Sequence, residues 1–165
     1  MKNLEILKVY KNLEIYEKLM CLKEIDKKRQ IVFLCVGNFK IWFDSFGPIF
    51  GSLLKLLDFK YYIYGNIKSN ITAKNINEYI DIIYKFHNNP YVIVIDNAVS
   101  NEEKPTLKIY EGETQCACLD NNGVLVGDLG IIYCLNKKNI KKPQLYYEMI
   151  KEIKTVLRWL QFILT

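Results

Sequence analysis

The sequence is nearly without histidine, which narrows the chemistry that it could carry. His87 is the single histidine among 165 residues, and it stands between a predicted helix and a predicted strand. We expect it to be a structural residue at the edge of the sheet opposite Asp96. Ser-His-Asp and Cys-His catalysis both need a histidine beside the nucleophile, so neither is expected. No spacing of cysteines and carboxylates supports a zinc site either.

Several signature motifs are also missing. Neither G-x-x-x-x-G-K nor G-x-G-x-x-G occurs, which argues against a phosphate-binding loop or a dinucleotide fingerprint. No stretch of about 18 uncharged apolar residues is present, so we expect no membrane span. Residues 1–10 mix charged with apolar side chains, unlike a signal peptide. We therefore expect a cytoplasmic protein without a membrane partner.

Neither the cysteines nor the net charge indicates a disulfide framework, a redox site or a nucleic-acid partner. The chain has five cysteines, an odd number, and Cys116-Ala117-Cys118 is C-x-C rather than the redox spacing C-x-x-C. We therefore expect reduced thiols. The net charge is +5, with basic residues concentrated in 23–29 and 137–142. Because no nucleic-acid-binding motif accompanies them, we expect no nucleic-acid partner, and the oligomeric state is left open.

The chain does contain an alternation of apolar strands with amphipathic helices. Strands that are apolar on both faces and alternate with helices favour a mostly parallel sheet covered on both sides. The predicted fold is a three-layer α/β/α sandwich forming one domain over residues 1–165, of which 1–30 are an N-terminal helical extension and 31–165 the α/β domain. Strands are predicted over 31–36, 61–64, 91–95, 107–110, 115–119 and 129–135, and helices over 4–25, 47–57, 72–86 and 143–164.

Two of the strongest predicted strands end beside a carboxylate. The first leads through a Gly-Asn pair to Asp44, and the strand before residue 96 leads directly into Asp96. Ligands of open parallel sheets bind beyond the carboxyl ends of the strands, so both acids could share one crevice, and Asp128 could reach its rim. There they could divide acid and base roles or hold a cation. The alternative is that Asp44 caps the following helix and Asp96 is a turn residue.

Four motifs in one order give the sequence a family resemblance. Together they resemble the YyaC group of sporulation proteins, small relatives of the germination protease of spore-forming bacteria. The likeness extends roughly from residue 31 to the C-terminus. The motifs are Cys35-Val36-Gly37 followed by Phe43-Asp44-Ser45-Phe46-Gly47-Pro48, then Tyr64-Gly65 with Ile67, the run His87–Asp96, and Val126-Gly127-Asp128.

That resemblance implies a fold like the hydrogenase maturation endopeptidases and a sporulation-associated peptidase. It implies that Asp44 and Asp96 are catalytic and act on a protein or peptide substrate. The hydrogenase-processing relatives bind nickel through acids and a histidine, but no histidine matches here. No cofactor is therefore expected, except that a divalent cation could bridge the two aspartates. The other residues expected in the crevice are Gly37, Asn38, Ser45, Asn97 and Asp128.

The loop before Asp44 departs from the family pattern. The YyaC group has mostly polar residues there, whereas this chain has Asn38-Phe39-Lys40-Ile41-Trp42-Phe43. A crevice lined by these side chains could accept a different substrate. It could also belong to a catalytically inactive binding module of the same fold that holds a partner through the aromatic residues, since exposed apolar patches mark interaction sites.

Overall fold

The central sheet forms from the most apolar and β-branched stretches of the chain. A computed structural model describes residues 12–118 and 123–164. Within these residues five strands form the main sheet, and two more form a small antiparallel pair beside it. The strands are β1 Gln30–Cys35, β2 Tyr62–Tyr64, β3 Pro90–Ser100, β4 Thr106–Glu111, β5 Thr114–Cys116, β6 Val124–Val126 and β7 Leu129–Asn136.

The strands of the main sheet stand in the order β2-β1-β3-β7-β4. The first four are parallel to one another, whereas β4 runs antiparallel to β7 along the outer edge. β1, β3 and β7 are buried over most of their length, as expected for strands covered on both faces. The predicted mostly parallel sheet is confirmed.

Helices and the small strand pair cover the two faces of the sheet. The helices are α1 over 12–20, α2 Leu22–Ile25, α3 Phe46–Leu56, α4 Ile76–Phe86 and α5 Tyr146–Leu164. One face packs against α1, α2, α3 and α5 in the larger core, and the other against α4, β5 and β6 in the smaller core. The three-layer α/β fold is therefore confirmed. None of the helices in the described residues is long and apolar enough to cross a membrane.

Two element boundaries differ from the prediction. β3 continues to Ser100, through residues expected to begin a loop, because 97–100 remain paired with β7. α4 begins at Ile76 rather than after an N-cap at Thr72. The Asn75 side chain accepts the Thr72 N–H at 2.8 Å, which holds these residues in a turn before the helix.

Parts of two predicted elements lie outside the described residues. Of the predicted helix over 4–25, residues 12–25 are helical apart from a turn at Cys21. The strand predicted over 115–119 is observed as β5, one residue earlier and shorter, and its partner β6 has no counterpart in the prediction. Leu19 and Leu22 pack into the same core as α3 and α5. The division of the chain into an extension and a domain stays a prediction.

α3 lies very close to the sheet because glycines face it. A Cβ at Gly47 would lie 2.0 Å from the Val36 carbonyl oxygen and 2.7 Å from the Ile95 carbonyl oxygen. A Cβ at Gly51 would lie 2.2 Å from the carbonyl oxygen of Gly65. No side chain fits into either space, so the helix approaches the carboxyl end of β1 and the interior of β3 this closely only with glycine at these positions.

We expect Gly47→Ala to lower the free energy of unfolding by about 2 kcal/mol or more, as overpacking does. A loss of stability would be informative, because replacing glycine by alanine inside a helix otherwise raises the free energy of unfolding by about 1 kcal/mol. Urea unfolding of the wild type and the variant measures the difference. Lys55→Ala, at an exposed position of the same helix, is the control. Unchanged or higher stability of Gly47→Ala would contradict the close approach of α3.

Candidate functional site

The carboxyl end of β1 lies beside the interior of β3, which brings Asp44 and Asp96 into one region. Asp96 lies within β3, four residues before its last residue Ser100, and not at a strand end as expected. Cys35 is paired in register with Ile95, and the Val36 N–H donates to the Ile95 carbonyl at 2.8 Å. Asp96 follows Ile95 directly, and Asp44 ends the loop that follows β1. The neighbouring strands on which the shared-crevice hypothesis depends are therefore present.

The loop after β1 folds back on Asp44 through its own backbone. The Asn38 N–H donates both to the Asp44 carbonyl oxygen at 2.8 Å and to its carboxylate Oδ2 at 2.9 Å. Gly37 has a φ of 135°, and its N–H donates to the Ile71 carbonyl at 2.7 Å. A Cβ at Gly37 would lie 2.2 Å from the Asp44 carbonyl oxygen, so this turn needs glycine. Gly37 and Asn38 thus position the Asp44 carboxylate.

The start of α3 is held by a residue of β3 rather than by Asp44. Ser45 is the N-cap residue, and its hydroxyl donates back to the Trp42 carbonyl at 2.7 Å. The Phe46 N–H, the first of the helix, donates to Asn97 Oδ1 at 3.0 Å. The interpretation of Asp44 as the helix cap is therefore wrong. Ser45 and Asn97 lie at the site, and both support the backbone around it.

The Asp96 carboxylate is buried and accepts two backbone hydrogen bonds. Its exposed fraction is 4%. Oδ1 accepts the Asn97 N–H at 2.7 Å, and Oδ2 accepts the Ala117 N–H at 3.0 Å. Ala117 has a φ of 52°, a left-handed conformation that a non-glycine residue adopts at a cost. Sequence reasoning missed Ala117, because nothing in the residue type signals that conformation.

Burial raises the pKa of both acids toward neutrality. The pKa of Asp44 rises to about 6 because its partly buried carboxylate loses solvation, although the Asn38 N–H offsets part of the rise. The pKa of Asp96 rises to about 7, chiefly through burial, against the lowering effect of its two N–H donors. The negative charge of Asp44 raises the pKa of Asp96 further, as the smallest of the effects that act on it.

Two thiols lie beside Asp96 and are poor nucleophiles there. Burial raises the pKa of Cys116 and Cys118, and the charge of Asp96 raises both further. Cys116 is buried, whereas Cys118 is exposed. A thiol with a raised pKa carries little thiolate at neutral pH. The C-x-C segment therefore contributes the Ala117 N–H to the site rather than a catalytic cysteine.

Asp128 lies at the opposite end of the strands from this region. Its Oδ1 accepts from Arg29 Nη1 at 2.9 Å, and its Oδ2 accepts the Val92 N–H at 2.9 Å. Arg29 also donates to the Pro90 carbonyl, at the first residue of β3. Asp128 is thus an anchor at the amino ends of the strands. The expectation that it reaches the rim near Asp44 is wrong, because its backbone pairs with the start of β3 and not with its end.

His87 occupies the same amino end, as expected. It ends α4 and is buried. Its Nε2 is hydrogen-bonded to the Tyr64 hydroxyl at 2.8 Å, and its Nδ1 lies 3.3 Å from Gln30 Oε1. Its ring also lies 4.2 Å, centroid to centroid, from that of Tyr62. These contacts account for both ring nitrogens, and they confirm a structural position remote from Asp96.

The aromatic loop before Asp44 is partly core and partly surface. Trp42 packs against the larger core, and its Nε1–H donates to the Ile140 carbonyl at 3.1 Å. Phe43 packs against the same core. Phe39 and Ile41 are exposed, at 43% and 39%. Only these last two side chains of the loop offer a free apolar surface.

The site has too few ligands for a strong metal centre. Among residues 12–118 and 123–164, no group of three or more His, Cys, Asp or Glu side chains is arranged to hold a metal ion. Asp44 and Asp96 alone could supply carboxylate oxygens to a hard cation, which would keep water in its remaining positions. A divalent cation between them stays a prediction.

The sequence comparisons agree with this arrangement of motifs. The family model described as "Protein of unknown function (DUF1256)" matches residues 6–162. The chain belongs to the DUF1256 family. That match includes β1, β3 and the loop that carries Asp44, so both candidate acids are within the family region. No solved structure matches this DUF1256 chain significantly.

A curated relative supports the resemblance to the YyaC group. The DUF1256 chain is 35% identical over 69 residues to "Uncharacterized protein YyaC" of Bacillus subtilis (strain 168). The aligned part is 41% of this chain and 34% of that protein, so the chain matches about a third of the relative's length. Membership of the YyaC family is confirmed, whereas the relationship to proteases stays a prediction.

We expect the free energy of unfolding to fall as the pH rises from about 4 to about 7. In that window Asp96 is ionised in the unfolded chain but protonated in the fold, because its folded pKa is about 7. The protonated form of Asp96 therefore stabilises the fold fully below about pH 4. This stabilisation is lost as the pH rises to about 7. The full effect of a shift of this size is about 4 kcal/mol.

Urea unfolding at a series of pH values tests this dependence. Asp96→Asn should lose the larger part of the slope, since amide side chains do not titrate. Asp81→Asn, exposed on α4, is the matched control and should keep the wild-type slope. A slope that persists in Asp96→Asn would show that another group carries the pH dependence.

Proposed function

We propose that this chain is a sporulation-associated peptidase that hydrolyses a peptide bond with the pair Asp44 and Asp96, in the cytoplasm of a spore-forming bacterium. The observation that carries the proposal is the pair itself. Asp44 follows β1, Asp96 lies on the neighbouring strand β3, and burial raises their pKa values to about 6 and about 7. The resemblance of the surrounding motifs to the germination protease supplies the reaction class.

The two environments assign different roles to the acids. Asp44 has the lower pKa and is partly exposed, so it is the base that takes a proton from the attacking water. Asp96 has the higher pKa and is the acid that gives its proton to the departing amine nitrogen. The water oxygen bonds to the carbonyl carbon as the C–N bond breaks. One proton passes to Asp44 and one leaves Asp96, and exchange with solvent restores the pair.

A binding module without catalysis is the second candidate, and one observation favours it. Phe39 and Ile41 are exposed on the loop that leads to Asp44, where the YyaC group is mostly polar. In that case a partner would be bound through these two side chains, and Asp44→Asn would leave binding unchanged. Trp42 is a poor probe of this candidate, because its removal would also disturb the core.

We expect Asp44→Asn and Asp96→Asn each to reduce peptide cleavage at least about 100-fold, the usual contribution of a positioned acid or base. The assay incubates the full chain with a synthetic peptide library and identifies new termini by mass spectrometry. The wild-type rate should be highest between pH about 6 and about 7, where Asp44 is ionised and Asp96 still protonated.

Asp58→Asn, at an exposed position after α3, is the control and should cleave as the wild type does. Circular dichroism verifies that each variant is folded. Undiminished cleavage by Asp96→Asn would contradict the proposal, and so would the absence of cleavage by the wild type. The second outcome would favour the binding module.

A further inference from the structure

The loops that follow the four parallel strands lie at one end of the sheet. The first loop is 37–45 after β1, the second 65–75 after β2, the third 101–105 after β3 and the fourth 137–145 after β7. We call the surface that they form the carboxyl rim.

Side-chain hydrogen bonds join these loops to one another. In the first loop the Phe39 N–H donates to Asn70 Oδ1 of the second at 2.9 Å. The Trp42 Nε1–H donates to the Ile140 carbonyl of the fourth loop at 3.1 Å. Asn139, also in the fourth loop, donates through Nδ2 to a carbonyl of the third at 2.9 Å. The carboxyl rim is therefore one connected surface.

The carboxyl rim carries the whole excess of positive charge of the protein. Its loops contain eight of the 23 basic residues and three of the 18 acidic residues, so the rest of the sequence is neutral overall. All eight lysines are exposed, and none forms an ion pair with another of the described residues. The lysines are Lys40, Lys68, Lys74, Lys104, Lys137, Lys138, Lys141 and Lys142.

Three helices direct their positive ends toward the same surface. The first loop leads into α3, the second into α4 and the fourth into α5. Backbone dipoles place partial positive charge at the start of each helix. This charge adds to that of the lysines, and the combined field attracts an anionic partner.

Exposed apolar side chains lie in the first two loops beside these lysines. Phe39, Ile41 and Ile67 are exposed at 43%, 39% and 40%. A surface that combines lysines with apolar side chains is complementary to a polypeptide in which acids and apolar residues are mixed. Nucleic acid is a poorer match, because isoleucine does not stack on bases and the four loops contain no arginine to bind phosphate.

We infer that the carboxyl rim binds an acidic segment of a partner protein, with the carboxylates of the segment on the lysines and its apolar side chains on Phe39, Ile41 and Ile67. The inference does not rest on peptide cleavage, since none of these side chains is an acid or base of the proposed reaction. It goes beyond the binding-module candidate because it assigns the chemistry of the partner.

Fluorescence anisotropy of labelled peptides with the full chain tests the inference. The probe repeats the triplet Glu-Glu-Leu four times, a Ser-Ser-Leu repeat lacks its charge, and a Glu-Glu-Ser repeat lacks its apolar side chains. We expect Glu-Glu-Leu to bind at least about tenfold more tightly than Ser-Ser-Leu, and more tightly than Glu-Glu-Ser. Its affinity should fall at least about tenfold between roughly 0.02 and 0.2 M NaCl, because salt screens exposed charges.

Two quadruple variants locate the binding site. The first, in the fourth loop, is Lys137→Gln/Lys138→Gln/Lys141→Gln/Lys142→Gln. The matched control, at exposed positions away from the carboxyl rim, is Lys23→Gln/Lys27→Gln/Lys28→Gln/Lys85→Gln. Both lower the net charge equally. We expect the first to weaken Glu-Glu-Leu binding at least about fivefold and the control to change it less than about twofold, since each exposed ion pair contributes little alone.

Equal affinities for Glu-Glu-Leu and Ser-Ser-Leu would overturn the inference, and so would equal losses in the two quadruple variants. A single-stranded DNA with as many negative charges as the Glu-Glu-Leu peptide is the competing ligand. Tighter binding of that DNA would also overturn the inference and identify a nucleic-acid surface.

The double variant Asp44→Asn/Asp96→Asn separates this inference from the proposed function. It should bind the Glu-Glu-Leu peptide as tightly as the wild type does. Retained binding by a chain that cleaves nothing supports the inference and contradicts only the peptidase. Loss of binding would place the peptide at the aspartates rather than on the lysines and would overturn the inference.

Discussion

The close approach of α3 to the carboxyl end of β1 and to the interior of β3 is the constraint on which the site depends. Gly47 allows it, because any larger residue would collide with the carbonyl oxygens of Val36 and Ile95. Asp44 lies just before this helix and Asp96 just after Ile95, so one packing contact fixes both acids. Asn97 completes the arrangement by accepting the first N–H of α3. The loop, the helix and the strand are thereby held as one unit.

Burial gives the site its electrostatic character. Asp96 is almost fully removed from water, and two backbone N–H groups only partly replace its hydration, so its pKa stays high. One of these donors belongs to Ala117 in a left-handed conformation, a local strain that the β5 segment sustains. A raised carboxyl pKa reduces stability at neutral pH, which is a cost that functional sites commonly carry.

Much of the fold could be predicted from the sequence. Some positions in the candidate site could not, for physical reasons. Apolar runs that alternate with helices predicted the mostly parallel sheet. A shared site for Asp44 and Asp96 depended on β1 and β3 being neighbours, which the sequence did not decide and the strand pairing provides. The position of Asp128 was predicted wrongly because this residue precedes a strand, β7, and does not follow one. Its side chain therefore accepts the Val92 N–H near the start of β3. The Ala117 N–H could not be predicted, since backbone donors carry no residue signature.

The titration of Asp96 tests the central claim most directly. Carboxyl carbon NMR of the wild type should give a pKa for Asp96 near 7, and Asp44→Asn should lower it, because the charge of Asp44 contributes to the rise. The isosteric change removes that charge and leaves the neighbouring backbone donors in place. An Asp96 pKa near the ordinary value of about 3.9, or one indifferent to Asp44→Asn, would contradict a shared acid–base site.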